Sequence, residues 1–126
     1  MTHRIQISAG EIKLQASLNT SATAEAIWQA LPLEGGANIW GDEIYFAIPV
    51  KLEEAGDARQ EMRVGELGYW PVGQAFCIFF GPTPVSEGPQ PRAYSNVNPF
   101  GAIEGDATQL KTIRDGESIR IERLEA

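Results

Sequence analysis

Glu43 and Tyr45 are the residues whose types and spacing most invite chemistry. In the segment Glu43-Ile44-Tyr45-Phe46-Ala47-Ile48-Pro49-Val50 alternate side chains of a strand share a face, so the carboxylate and the phenol project together. Ile44, Phe46 and Ile48 take the opposite face and form core. An apolar wall beside a carboxyl raises its pKa toward neutrality, the range in which a carboxylate can both take and return a proton. Trp70 or Phe76 could supply that wall. The same face could instead meet solvent, and both readings stay open.

Other chemistry is limited by composition. The chain has one histidine, His3, so His-based triads and multi-His metal centres are excluded by count. It lacks a GxSxG elbow, a phosphate loop and a GxGxxG fingerprint. Glu53, Glu54, Asp57 and Glu61 lie in a charged stretch without the carboxylate spacing of a calcium loop and read as a solvated run. No metal site and no cofactor is expected. The single cysteine, Cys77, sits in an apolar run and reads as a small buried hydrophobe in a reducing compartment. Arg63 and Arg92 could reach a pocket from loops, although nothing in their spacing requires it.

With 126 residues the chain fits one domain, and at this size folding buries roughly two thirds of the unfolded surface. Ten Lys and Arg against seventeen Asp and Glu give a net charge of −7, which works against nucleic acid and anionic membranes. The first residues lack the apolar core of a signal peptide and no run is long enough for a membrane span. A soluble, cytoplasmic protein is expected.

The elements that must position these residues are mostly strands. Arg4–Ser8 and Glu11–Ser17 alternate apolar and polar, with Ile5, Ile7, Ile12, Leu14 and Ala16 on one face and a turn at Ala9-Gly10, the pattern of a hairpin. From Ser21 to Leu31 the period becomes helical, with Ala24, Ile27, Trp28 and Leu31 on one stripe, Thr20 or Ser21 as N-cap, Glu25 in the first turn and Pro32 as the stop. Trp28 is expected in the core. Leu33–Trp40 reads as a loop entering a short strand, with Gly41-Asp42 as a turn. Lys51–Gln60 reads as an exposed loop.

Gly65–Pro84 is the densest aromatic stretch. Tyr69 and Trp70 precede a Pro71-Val72-Gly73 turn, and the run Ala75–Phe80 has no polar alternate positions, so both of its faces should be covered. Gly81–Asn98 carries Pro82, Pro84, Pro89 and Pro91 and reads as a long loop, either functional or packed across a surface. Val97–Asp106 is extended, Ala107–Lys111 makes a short second helical turn, and Ser118–Leu124 is a closing half-buried strand with Ile119, Ile121 and Arg123 on one face. Seven or eight short strands with one main helix predict a mainly β fold, a closed barrel or sandwich without an internal repeat.

The helix Ala22–Pro32, the segment Asn38–Val50, the aromatic stretch from Gly68 to Pro84 and the run Val97–Asp106 together resemble the small bacterial and archaeal cyclophilin-like proteins, a family of unassigned function. The resemblance covers nearly the whole chain. It implies a single domain, a closed cyclophilin-like β-barrel of about eight strands with a helix over about residues 21–31 capping one end. Glu66 stands where a Gly-Asp pair is commoner, a difference expected to alter only a turn. In the isomerase cyclophilins a Phe-His-Arg strand motif presents an arginine beside a proline pocket. Here the corresponding region reads Ile44-Tyr45-Phe46-Ala47, and the Gln-Gly-Gly-Asp signature is also missing, so isomerase activity does not carry over.

The expectation is therefore a binding domain that takes a small molecule or short peptide in an aromatic pocket built from Glu43, Tyr45, Trp70, Phe76, Tyr94 and Asn98. Aromatic faces would supply contact area, while Glu43, the Tyr94 hydroxyl and Asn98 would fix orientation. The alternatives are a peptidyl-prolyl isomerase with a rearranged site using Arg63 or Arg92, and an interaction module without a pocket.

Overall fold

Two successive hairpins and a long crossing strand carry the architecture. The computed structural model describes residues 3–124. Strands β1 (Arg4–Ala9) and β2 (Ile12–Leu18) form the first hairpin, with Gly10 at φ +55° in its turn, a left-handed conformation that glycine adopts without a Cβ penalty. Helix α1 (Ala22–Ala30) begins at Ser21, whose hydroxyl accepts from the Ala24 amide, and its stripe buries Ala24 and Ile27. Trp28 lies at the margin of the core rather than inside it, stacked on His3 at 3.9 Å between centroids. Arg123 lies over the same indole and donates to the Trp28 carbonyl. A guanidinium at a helix C-terminus is favoured by the exposed carbonyls there, so Arg123 turns out of the core while Ile119 and Ile121 stay in it.

The remaining strands are β3 (Leu33–Gly36), β4 (Asn38–Ile39), β5 (Glu43–Ala47), β6 (Arg59–Glu61), β7 (Glu66–Trp70), β8 (Ala75–Phe79), β9 (Arg92–Glu104) and β10 (Ser118–Arg123), with a 3₁₀ helix at Ala107–Thr112. Ten strands among the described residues replace the expected eight, because β4 and the wholly polar β6 are too short to show a pattern. The hydrogen-bonded order is β3-β10-β1-β2-β9-β7-β8-β5-β4, with β6 beside β9.

No ladder joins β3 to β4, so the expected closed barrel is corrected to a sheet that hydrogen bonds do not close. The two ends are successive pieces of one segment separated by Ala37, and each spends its backbone groups on a different neighbour, β10 or β5. Ala37 itself bonds to the β10 approach, through Glu117 and Gly116.

The main core lies inside the curved sheet. Phe46, Phe76 and Phe100 meet there, with Phe76 5.3 Å from Phe46 and 5.0 Å from Phe100 between ring centroids. The apolar run of β8 has both faces covered, as its sequence requires. Phe76, Ile78 and Phe80 enter the main core, while Ala75, Cys77 and Phe79 form a second cluster with Met62, Ala93 and Val97. The cover on that outer face is the first half of β9. The strand starts at Arg92, inside what the sequence presents as a proline-rich loop, and only Gly81–Pro91 lies outside regular structure. Gly68 permits this crossing, since a Cβ there would stand 2.7 Å from Val97 Cγ2. None of the helices among the described residues is long and apolar enough to cross a membrane.

Candidate functional site

A cavity of about 130 Å³ opens above the second apolar cluster, lined by Trp40, Glu43, Tyr45, Trp70, Ala93, Tyr94 and Val97. Four elements supply these side chains. Alternation on β5 places Glu43 and Tyr45 on the outer face while Ile44 and Phe46 enter the main core. Trp70 is the last residue of β7 and faces outward, whereas its neighbour Tyr69 is fully buried and holds the loop that follows β5, its hydroxyl donating to Val50 O and accepting from Leu52 N. Tyr94 projects from β9 as the exposed lip.

Trp40 is the wall that sequence reasoning missed. Its amide donates to Glu43 O and its carbonyl accepts from Glu43 N, at 3.0 and 3.2 Å, so the two residues face each other across a two-residue turn, Gly41-Asp42. Gly41 has φ +60°, which the first position of such a turn demands. The start of the proline-rich segment packs onto this turn. Asp42 N donates to Pro82 O and Phe80 N to Asp42 O, both at 2.9 Å, and Thr83 Oγ1 donates to Arg92 O at 2.5 Å. The segment thus fixes the turn next to Trp40 and the start of the strand that carries Tyr94 without lining the cavity itself.

The aromatic walls meet nearly at right angles. Tyr94 stands edge-to-face with Trp40 and with Trp70, both at 6.0 Å, with interplanar angles of 72° and 76°. Tyr45 meets Trp70 at 6.3 Å and 78°. Trp70 is held further by its Nε1, which donates to Ser95 Oγ at 2.7 Å. Gly73 leaves room for the indole to fold back over its own turn, since a Cβ at that position would lie 2.3 Å from Trp70 Cε3.

Glu43 forms the floor. It is only 6% exposed, and its Oε1 has no hydrogen-bond partner among the described residues. Loss of hydration pushes its pKa up to about 7, partly offset by the neighbouring Cys77 thiol. Cys77 is driven the other way, its burial and then the nearby Glu43 charge raising the thiol well above its ordinary range. A carboxyl that titrates near neutrality inside an aromatic enclosure can accept a hydrogen bond, carry a charge opposite a cation, or exchange a proton.

Of the six expected site residues, Glu43, Tyr45, Trp70 and Tyr94 line the cavity. Tyr94 belongs to a strand rather than a loop. Phe76 and Asn98 do not line it. The β5–β8 register pairs Phe76 with Phe46 and Cys77 with Tyr45, so Phe76 shares the core face. Asn98 is buried and donates to Glu53 O and Thr23 Oγ1 while accepting from Ala55 N, which makes it a clamp on the Lys51–Ala58 loop. Neither Arg63 nor Arg92 lines the cavity, and Arg92 sits near Glu61 and Glu87. Glu66 does more than alter a turn. It takes two hydrogen bonds from Arg59 and one from the Arg63 amide, joining β6 to β7.

A cyclophilin-like family model matches residues 3–122. The chain is also similar to a solved structure, the solution structure of the hypothetical protein AF2241 from Archaeoglobus fulgidus. The two are 36% identical with a TM-score of 0.82, over 98% of this chain and 95% of that one. No curated protein matches the chain.

Proposed function

The chain belongs to the cyclophilin-like family, and from that premise we propose that it is a ligand-binding domain that takes a small molecule or a short peptide in the aromatic cavity. A fold of this kind does not by itself assign an activity, so the reading rests on the site. The observation that carries it is Glu43 Oε1, buried and without a partner among the described residues, beneath four aromatic side chains. A buried polar atom left unpaired costs free energy, and a ligand able to donate to it would recover that cost on binding. The aromatic rings offer contact area at little loss of conformational entropy. The cavity is small, about 130 Å³, so it suits one compact group, with the rest of a larger ligand lying past Tyr94.

A thermal-shift screen of small molecules and short peptides tests this, because anything that binds only the folded state raises the melting temperature by mass action. Hits that stabilise the parent protein and lose their effect in Trp40→Ala support the reading. Hits that stabilise both proteins equally place binding elsewhere.

Glu43 also supports a second reading, acid–base chemistry on the bound ligand, since its carboxyl titrates near 7, where proton transfer is most effective at neutral pH. A Glu43→Gln protein that turned over a discovered ligand as fast as the parent would remove that reading while leaving the binding one in place.

A further inference from the structure

We propose that the cavity selects an alkylated ammonium group, seated with its nitrogen against Glu43 and its alkyl groups against Trp40, Trp70 and Tyr94. This rests on the binding reading above and names the chemistry of the occupant. Three features of the site converge on it.

The first is shape. Neighbouring rings cross at 72°, 76° and 78°, so aromatic walls approach the cavity from several directions, an arrangement that suits a rounded head group. The second is the nature of the walls. Two tryptophans and two tyrosines line one small cavity, and the electron-rich faces of these rings attract cations, tryptophan most strongly. The third is charge. No basic side chain lines the cavity, and no salt bridge among the described residues uses Glu43. The floor is thus a carboxyl without a counter-ion, in a protein of net charge −7 whose field favours the approach of cations. An anion would meet that carboxyl and find no donor among these side chains except the Trp and Tyr edges. A neutral apolar group would fill the box and leave Glu43 Oε1 unpaired.

Donor count narrows the class further. A primary ammonium carries three N–H donors, and an aromatic box with one unpartnered oxygen leaves most of them unsatisfied. A tertiary ammonium has a single N–H to match that oxygen, and a quaternary one has none and relies on the rings and the charge. The same head group could belong to a free small amine or to a methylated lysine in a peptide.

The groups around Glu43 are the Cys77 thiol on β8, the Tyr45 phenol on its own strand and the Tyr94 phenol on β9. Cys77 is held as a thiol by its raised pKa, so Glu43 sets the pH dependence. Bound cation favours the carboxylate, and affinity for a quaternary ammonium falls as pH drops below 7, approaching about tenfold per pH unit.

The test is calorimetric titration of the folded protein with four probes: N,N-dimethylethanolamine, choline, a short peptide carrying dimethyl-lysine, and the neutral choline isostere 3,3-dimethylbutanol. The inference expects at least one of the three cations to bind about tenfold or more tightly than the neutral isostere, with free amine against peptide deciding the source. It also expects Glu43→Gln to weaken choline binding and flatten its pH profile between 6 and 8. Binding in which none of the three cations exceeds the neutral isostere overturns the cation inference and leaves a binding pocket standing. Silence from all four probes overturns the cation inference, and if the thermal-shift screen also finds no ligand sensitive to Trp40→Ala, the binding reading falls with it.

Discussion

Tyr94 stands edge-on to Trp70, ring centroids 6.0 Å apart and planes at 76°, although the two side chains arrive from β9 and β7. Tyr94 is 68% exposed, yet a tryptophan on either side fixes its ring. It therefore closes the cavity at small cost to folding. Replacing it with alanine removes two edge-to-face contacts, and the expected loss of stability is about 1–2 kcal/mol. Binding should suffer far more, because one wall is gone. Denaturant midpoints, read beside a ligand titration, check this. A Tyr94→Ala protein that kept full affinity would remove Tyr94 from the site.

Glu43 makes stability depend on pH in the sense opposite to a salt-bridged carboxylate. The folded protein holds this proton up to about pH 7, whereas the ordinary value is 4.5. Between those values the folded state binds more protons than the unfolded one, so stability falls as pH rises. The contribution is fully present below about 4.5 and is lost once pH passes about 7. The span corresponds to about 3 kcal/mol. Thermal melts of the parent and of Glu43→Gln at pH 5 and pH 8 isolate the effect. The parent should lose stability relative to the variant at pH 8, and parallel behaviour of the two proteins would contradict the burial argument.

Asn98 is expected to act on stability and not on recognition. Its side chain makes three hydrogen bonds that hold the Lys51–Ala58 loop and Thr23. Asn98→Ala leaves Ala55 N and Glu53 O, both part-buried, and the buried Thr23 hydroxyl without this partner, a loss of about 1–3 kcal/mol. Affinity at a temperature where the variant is still folded should match the parent.

Gly73 controls the position of Trp70. A Cβ there would lie within 2.4 Å of Trp70 Cε3 and Cζ3, too close to be accommodated unless the indole moves. Gly73→Ala should swing the ring away from Ser95 and shift tryptophan emission to the red, while the fold, secured by other strands, remains. An unchanged emission spectrum would show that the turn yields in place of the ring.

Much of the fold is legible in the residues because each element's pattern points one way. The first hairpin, β5 and β10 alternate cleanly, and α1 announces its start with Ser21 and its end with Pro32. What failed to show has physical reasons. On β6, Arg59-Gln60-Glu61 has no apolar residue, and the strand is held by Arg59 on Glu66 and by Gln60 Nε2 donating to the carbonyls of Ala93 and Tyr94. The first half of β9 buries Ala93 and Val97 and exposes Tyr94, but a polar Ser95 stands between the two buried residues and an aromatic Tyr94 on the open side, so the residue types hide the period of two and the prolines before it dominate the reading. That the sheet stays open could not be read because one short segment serves both of its ends.

The site was half legible for related reasons. Alternation on β5 places Glu43 and Tyr45 together. On β8 every residue is apolar, so the choice between Phe76 and Cys77 for the outer face depends on register with β5, which sequence does not supply. Trp40 could have been found from Gly41-Asp42. A two-residue turn sets Trp40 directly opposite Glu43, and opposite residues of an antiparallel pair share a face.

The most direct test of the site uses the three tryptophans as reporters in a ¹H–¹⁵N spectrum. Trp40 and Trp70 line the cavity, and Trp28 lies on α1 against His3. On addition of a ligand found by thermal shift, the indole N–H signals of Trp40 and Trp70 should move in a saturable way while that of Trp28 stays fixed. Movement of Trp28 alone, or of none of the three at saturating ligand, would contradict the assignment of this cavity as the binding site.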